Sequence, residues 1–331
     1  MDSNSRIAVL GGGSWATAIV KLLLNNTDQL NWYIRNEEDV KFIKKYHHNP
    51  KYLTSVELEI SKINLFSDIQ KAIESSDVLI IAIPAPFIEA SLSNCKGMFK
   101  DKFVVSAVKG IISGHNLTVA EFFNKIFEVP FGSVGIISGP CHAEEIALER
   151  LSYLTISSKN KEDAEFMADM INCEYLKAKV STDIYGTEYA AVLKNIIAIA
   201  VGVSHGLGYG DNFIAVLVSN AHQEIKRFLD KTYRSKRKVN SSPYLGDLLV
   251  TAYSQFSRNR TFGAMIGKGY SVKSAHLEMN MIAEGFYAVD CIMEINKQHG
   301  VNMPIVSAVY NILHSKISPA LEIKLLESKL K

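Results

Sequence analysis

Residues 6–16, RIAVLGGGSWA, decide how the first half of the chain is read. RIAVL is a short apolar run of the kind that forms a buried strand, and residues 15–24 carry a helical pattern. Strand, glycine turn and helix together are the context that a G-x-G-x-x-G/A dinucleotide fingerprint requires. Gly11 permits the tight turn, Gly13 lets the backbone approach a pyrophosphate, and Ala16 keeps the helix close to the strand. The amides of the first helical turn would then face the phosphates. A glycine triplet that serves only as a flexible turn is the competing reading.

Working outward, residues 30–34, 78–83, 103–107 and 134–138 read as further strands, followed by 153–157 and 176–180 on either side of a helix over 161–170. VLIIAI at 78–83 is continuously apolar, as expected of a strand buried on both faces of a parallel sheet. In open sheets of this kind ligands bind at the carboxyl ends of the strands. Three such ends carry candidate residues. Arg35 stands after the second strand, where an NAD site would place an acidic residue on the ribose hydroxyl. A guanidinium there can pair with the 2′-phosphate of NADP or stack on adenine. Arg35 thus favours NADP(H), with NAD(H) and a merely solvated arginine as the alternatives. Lys109 follows residues 103–107 and would point into the crevice or simply cap the strand. Residues 138–145, SGPCHAEE, combine a turn with helix-start signals.

Strand–helix alternation ends near Asp183, which places one domain over residues 1–183 and a second, helical one over 184–331. The second opens on GTEYAAVLKNIIAIAVGVSHGLGYGDN at 186–212, an apolar helix of small residues with Lys194 set in its middle. A lysine is seldom left in such a place unless something pairs with it, although a long side chain can snorkel to solvent. A further helix is expected over 213–229. The basic run KTYRSKRK at 231–238 reads most simply as solvated. Asp247 can cap the helix that follows it. Ser257-Arg258-Asn259-Arg260 groups two guanidiniums, an amide and a hydroxyl suited to a phosphate. Residues 275–295 and 306–330 read as helical.

The bulk numbers bound the function. With 331 residues there is room for two domains, and a net charge of +2 gives no reason to expect nucleic acid. Four widely spaced cysteines suit a reducing compartment rather than a disulfide scaffold. Histidines and cysteines show no convincing metal spacing, so no metal is expected. Only the short run RIAVL precedes the glycine cluster, less than the apolar stretch of a signal peptide, so no secretory leader is expected. The uncharged run at 195–209 is short and glycine-rich, so no membrane insertion is expected.

Taken together, GGGSWATA at Gly11, AVKGI at Ala107, SGPCHAEEIA at Ser138, EYAAVLKNIIAIAVGVSHGLGYGDN at Glu188, GDLLVTAYSQFSRNRTFG at Gly246 and AEG at Ala283 resemble the NAD(P)-dependent sn-glycerol-3-phosphate dehydrogenases of the bacterial type. The motifs run in that family's order over nearly the whole chain. The resemblance implies an α/β fold, with an N-terminal Rossmann doubly wound sheet and an all-helical C-terminal domain of the 6-phosphogluconate dehydrogenase type. It implies reversible reduction of dihydroxyacetone phosphate to sn-glycerol 3-phosphate with NAD(P)H, in a cytoplasmic homodimer that supplies glycerophospholipid synthesis. Lys194 matches the family's catalytic lysine; Lys109 and Asp247 would assist it. Lys109, Gly139, Cys141, Lys194, Asp247, Ser257, Arg258 and Asn259 match substrate contacts. Ser14, Trp15, Arg35, Lys109, Ala143, Arg258, Ile282 and Glu284 match nucleotide contacts, beside Gly11 and Gly13 of the fingerprint. Cys141 departs from the usual Ser or Thr, and a thiol is the weaker hydrogen-bond donor. Two rivals compete with this reading: another two-domain dehydrogenase acting on a 3-hydroxy acid, a ketopantoate-like acid or an acyl-CoA, and a non-catalytic nucleotide-sensing homologue.

Overall fold

The computed structural model describes residues 5–279 and 282–331. The chain divides into two compact units, one of residues 1–108 and 117–184, the other of residues 109–116 and 185–331. The sequence suggested a single cut after Asp183. In the structure residues 109–116, and Lys109 with them, leave the first unit and pack with the second.

The first unit alternates strands and helices: β1 (Ile7–Leu10), α1 (Ser14–Leu23), β2 (Leu30–Tyr33), α2 (Glu37–Tyr46), β3 (Ile63–Phe66), α3 (Ile69–Glu74), β4 (Val78–Ile81), α4 (Ala85–Leu92) and β5 (Phe103–Ser106). The dipeptide strands β6 (Ile111–Ile112) and β7 (Leu117–Thr118) follow. Then come α5 (Val119–Ile126), β8 (Val134–Ser138), α6 (Ala143–Ala147), β9 (Ser152–Ser158), α7 (Lys161–Ile171) and β10 (Leu176–Ser181). The main sheet has the order β3-β2-β1-β4-β5-β8-β9-β10. Its first six strands are parallel, in the doubly wound order with the switch point between β1 and β4. Both central strands are buried throughout, which is why they read as unbroken apolar runs. β9 departs from that pattern by running antiparallel to β8, and β10 then runs parallel to β9.

The second unit is helical: α8 (Ile184–Gly206), α9 (Asp211–Thr232), α10 (Asp247–Tyr253), α11 (Arg258–Gly267), α12 (Val272–Glu278), α13 (Glu284–His299), α14 (Pro304–Leu313) and α15 (Pro319–Glu327). α8 is its axis. By length and composition α8 could cross a membrane, yet 89% of its apolar window is buried in the protein, as befits a core helix. It meets α11 backbone to backbone. A Cβ on Gly202 would lie 2.1 Å from the Arg260 carbonyl oxygen, and one on Gly263 2.2 Å from that of Ile199. Gly206 and Gly267 repeat the contact one turn on, so two G-x-x-x-G faces interlock. Elsewhere the buried Glu224 of α9 accepts hydrogen bonds from the amides of Ile305 and Val306 at the start of α14 (3.0 and 2.9 Å), where a helix favours an anion.

Two expectations change here. The helix read over residues 275–295 is two helices: Met279 and Ala283 are both extended, and Asn280 and Met281 lie outside the described residues. Asp247 does not cap α10. A π-helical turn over Ser242–Gly246 runs into α10 with Gly246 already helical, so Asp247 sits inside the helix and its carboxylate is free to turn elsewhere.

Candidate active site

In the second unit the carboxylate of Asp247 turns to Lys194. Lys194 lies midway along α8 and is 4% exposed, so it does not snorkel to solvent. Its Nζ donates to Asp247 Oδ1 (2.5 Å) and to Thr251 Oγ1 (2.9 Å). Thr251 in turn donates to the Asp247 carbonyl oxygen one turn back, which fixes its hydroxyl. Lys109 Nζ stands 3.8 Å from the other oxygen, Asp247 Oδ2. The buried Asn195 donates from Nδ2 to the Lys109 carbonyl oxygen (2.9 Å), holding residues 109–116 against α8. Two ammonium groups thus share one carboxylate in a buried setting. Burial pushes the Lys194 pKa down from its ordinary value to about 7; the charge of Asp247 opposes this and that of Lys109 adds to it. A lysine poised near neutrality can give up and take back a proton in the working pH range.

Ser257, Arg258 and Asn259 stand together at the start of α11. Ser257 is its N-cap and accepts from the Arg260 amide (3.4 Å). Arg258 and Asn259 are the first two helical residues, so a guanidinium and an amide sit at a helix N-terminus that favours anions. Asn259 Oδ1 accepts from the Gly285 amide (2.9 Å). That bond spends its acceptor and leaves Nδ2 as the donor. A Cβ on Gly285 would lie 2.7 Å from the Asn195 carbonyl oxygen. The AEG segment therefore ties the start of α11 to Asn195, the neighbour of Lys194. Glu284 is the first residue of α13, and Ile282 precedes it by two.

The first unit holds the other candidates. Gly11 has φ +137°, and a Cβ there would meet the Ala82 carbonyl oxygen at 2.6 Å, so this position demands glycine. Gly13 is the N-cap of α1 and, as glycine, brings no capping side chain of its own, and a Cβ on it would meet nothing within 4 Å. A helix N-terminus with open space over its glycine fits the phosphates of a dinucleotide. Ser14 and Trp15 form the first turn of α1. Arg35 is exposed just beyond β2. Gly139 and the buried Cys141 follow β8, and Ala143 opens α6, which packs on α1. Among the described residues no group of three or more His, Cys, Asp and Glu is placed to hold a metal ion.

The comparisons agree with both halves. Residues 6–164 match the N-terminal family of NAD-dependent glycerol-3-phosphate dehydrogenases, and residues 183–324 match its C-terminal counterpart. Glycerol-3-phosphate dehydrogenase of the NAD(P)+ type from Staphylococcus carnosus is 33% identical over 324 residues, 97% of each chain. The chain belongs to the NAD-dependent glycerol-3-phosphate dehydrogenase family. The corresponding protein of Staphylococcus haemolyticus is 34% identical over 311 residues, 93% of each chain. Among solved structures, the glycerol-3-phosphate dehydrogenase of Coxiella burnetii superposes with a TM-score of 0.90 at 25% identity, covering 98% of this chain and 99% of that one. The chain is therefore an NAD(P)-dependent oxidoreductase with the two-part fold that the resemblance implied.

Three features of these sites escaped the sequence reading. Within GDLLVT nothing local indicates that the Thr251 hydroxyl meets Lys194. Asn195 was seen beside Lys194, but its bond to the Lys109 backbone spans 86 residues. Trp32 and Asn49, which reach the glycine triplet from outside it, gave no signal at all.

Proposed function

We propose that this chain catalyses the reversible NAD(P)H-dependent reduction of dihydroxyacetone phosphate to sn-glycerol 3-phosphate, with Lys194 as the acid. Bound reduced nicotinamide supplies the hydride to the carbonyl carbon. The carbonyl electron pair moves to oxygen as the hydride arrives, and the Lys194 ammonium stabilises that charge and delivers the proton. In the reverse direction neutral Lys194 removes the hydroxyl proton. Asp247 holds Lys194 in position and counters the effect of burial on its proton, while Thr251 fixes its direction. Lys109 polarises the same oxygen. Arg258 and the Nδ2 of Asn259, at the start of α11, anchor the substrate phosphate, with Ser257 beside them. Gly139 and Cys141 complete the substrate contacts. Positioning of this kind acts on rate as well as on binding.

For the dinucleotide the candidates are Gly11, Gly13, Ser14, Trp15, Arg35 and Ala143 in the first unit and, each unit taken by itself, Lys109, Arg258, Ile282 and Glu284 in the second. The exposed guanidinium of Arg35 supports NADP(H) over NAD(H). In this reading residues 1–183 bind chiefly nucleotide and residues 184–331 chiefly substrate; Lys109, Gly139 and Cys141 are substrate contacts outside that division, and Arg258, Ile282 and Glu284 nucleotide contacts outside it. The working form is a homodimer in the cytoplasm.

The observation that carries the proposal is the buried Lys194–Asp247–Thr251 cluster, which a protein that only senses nucleotide has no use for. The test is a substrate panel. Consumption of NADPH and NADH is followed with dihydroxyacetone phosphate, a 2-keto acid, a 3-oxo acid and ketopantoate. Turnover confined to the ketone phosphate is expected; turnover on a phosphate-free acid at a comparable kcat/KM would overturn the reading.

A further inference from the structure

Each carbonyl of the glycine triplet is held by a side chain. Trp32 Nε1 of β2 donates to the Gly11 oxygen (2.7 Å), Asn49 Nδ2 to the Gly12 oxygen (3.1 Å), and Thr17 Oγ1 of α1 to the Gly13 oxygen (3.0 Å). Trp32, Asn49 and Thr17 are all buried. Asn49 is the hub of the three. The same Nδ2 reaches Thr17 Oγ1 (3.0 Å), while Oδ1 accepts from the Lys51 and Tyr52 amides (3.0 and 3.1 Å). One carboxamide therefore spends one donor on the Gly12 carbonyl, the other on the Thr17 hydroxyl that holds Gly13, and its oxygen on the loop that carries it. A buried amide so completely satisfied is rigid, and removing it strands two acceptors.

Glycine loses more conformational freedom on ordering than any other residue, so three in succession form a soft loop unless something outside holds them. A loop ordered only on binding charges that entropy to the ligand. With its carbonyls drawn to buried side chains, the triplet is already in one conformation, and the helix end at Gly13 keeps the open face described above.

We propose that Asn49 is a positioning residue for the dinucleotide phosphates: it holds the Gly11–Gly13 turn in its binding conformation without touching the cofactor. The proposal rests on the dinucleotide reading of that turn. It predicts a selective defect. In Asn49→Ala the Kd and KM for NAD(P)H rise about tenfold, the size expected for a buried bond lost to an ordered loop. The KM for dihydroxyacetone phosphate and the kcat at saturating cofactor stay within twofold of wild type, about the scatter of surface substitutions.

The experiment measures NAD(P)H binding by nicotinamide fluorescence, at a temperature where circular dichroism shows each variant folded, and then the two KM values. Asn49→Asp is run alongside, because it keeps the Oδ1 acceptor for Lys51 and Tyr52 and lacks the donors to Gly12 and Thr17; it is expected to lose affinity at least as far as alanine. Lys51→Ala, whose ammonium pairs with Asp39 at the surface, is the control and should bind as wild type. A wild-type protein that binds NAD(P)H while folded Asn49→Ala binds it within twofold would overturn the proposal. An equal rise in both KM values would do so too, since general loosening has no reason to single out the cofactor. Failure of the wild type to bind NAD(P)H would instead count against the dinucleotide reading itself.

Discussion

Replacing Asp247 by asparagine changes one atom's charge and almost nothing in shape, and it isolates what the carboxylate does for Lys194. Both side chains are buried and in contact. At an effective dielectric constant of about 20, opposite unit charges about 4 Å apart attract by about 4 kcal/mol, equal to about three pKa units. The Lys194 pKa, about 7 with Asp247 in place, would move further down without it, because burial would go unopposed and the repulsion from Lys109 would no longer be offset. At neutral pH only a small fraction of Lys194 would then carry its proton, and an attraction of that size sets the loss in kcat for ketone reduction at about two to three orders of magnitude. The sign is fixed by the chemistry. Reduction needs the ammonium, so wild-type kcat should be level in acid and decline as pH rises through about 7. Oxidation needs the neutral amine, so it should climb through the same region. In Asp247→Asn both profiles should move to lower pH, with NAD(P)H affinity kept. The assay is steady-state absorbance of the reduced nicotinamide in both directions across pH. A variant with kcat within tenfold of wild type at neutral pH, or with unmoved profiles, would refute the argument that Asp247 keeps the proton on Lys194.

Two further predictions follow from the same geometry. Thr251→Val keeps the volume and removes the hydroxyl 2.9 Å from Lys194 Nζ, so kcat should fall about tenfold with the cofactor KM unchanged, which steady-state kinetics can check. Gly285→Ala places a methyl group 2.7 Å from the Asn195 carbonyl oxygen, so thermal unfolding should show a loss of about 1–3 kcal/mol, and kcat should fall because Asn195 and Asn259 shift; a wild-type Tm would contradict the close packing of α13 on α8.

What the sequence disclosed and what it withheld divide along physical lines. RIAVLGGGSWA was legible because its meaning is local: a buried strand, a glycine with φ +137° and a helix start all lie within eleven residues. Lys194 was conspicuous because a single cation in an apolar helix demands a partner. The partner's manner was not legible. Asp247 looked like an N-cap, and only the π-helical turn ahead of it releases the carboxylate for Lys194. The antiparallel course of β9 was hidden because its apolar residues fit a buried strand of either direction. The break between α12 and α13 was hidden because residues 275–295 contain no proline and only Gly285 to mark it. That glycine is required by the Asn195 carbonyl, a contact across 90 residues that no local pattern reports. Asn49 is the extreme case. An Asn-Pro pair after a basic helix reads as an ordinary turn, and its buried bonds to Gly12 and Thr17 exist only in three dimensions.

The central claim is that Lys194 moves the proton of the ketone reduction. It is tested most directly by the rate of NAD(P)H consumption with dihydroxyacetone phosphate in wild type and Lys194→Ala, each at saturating cofactor, with NAD(P)H binding measured on the same samples. Turnover by wild type, none above background by the variant, and equal cofactor affinity in both are expected. Turnover by folded Lys194→Ala at a rate near wild type would contradict it.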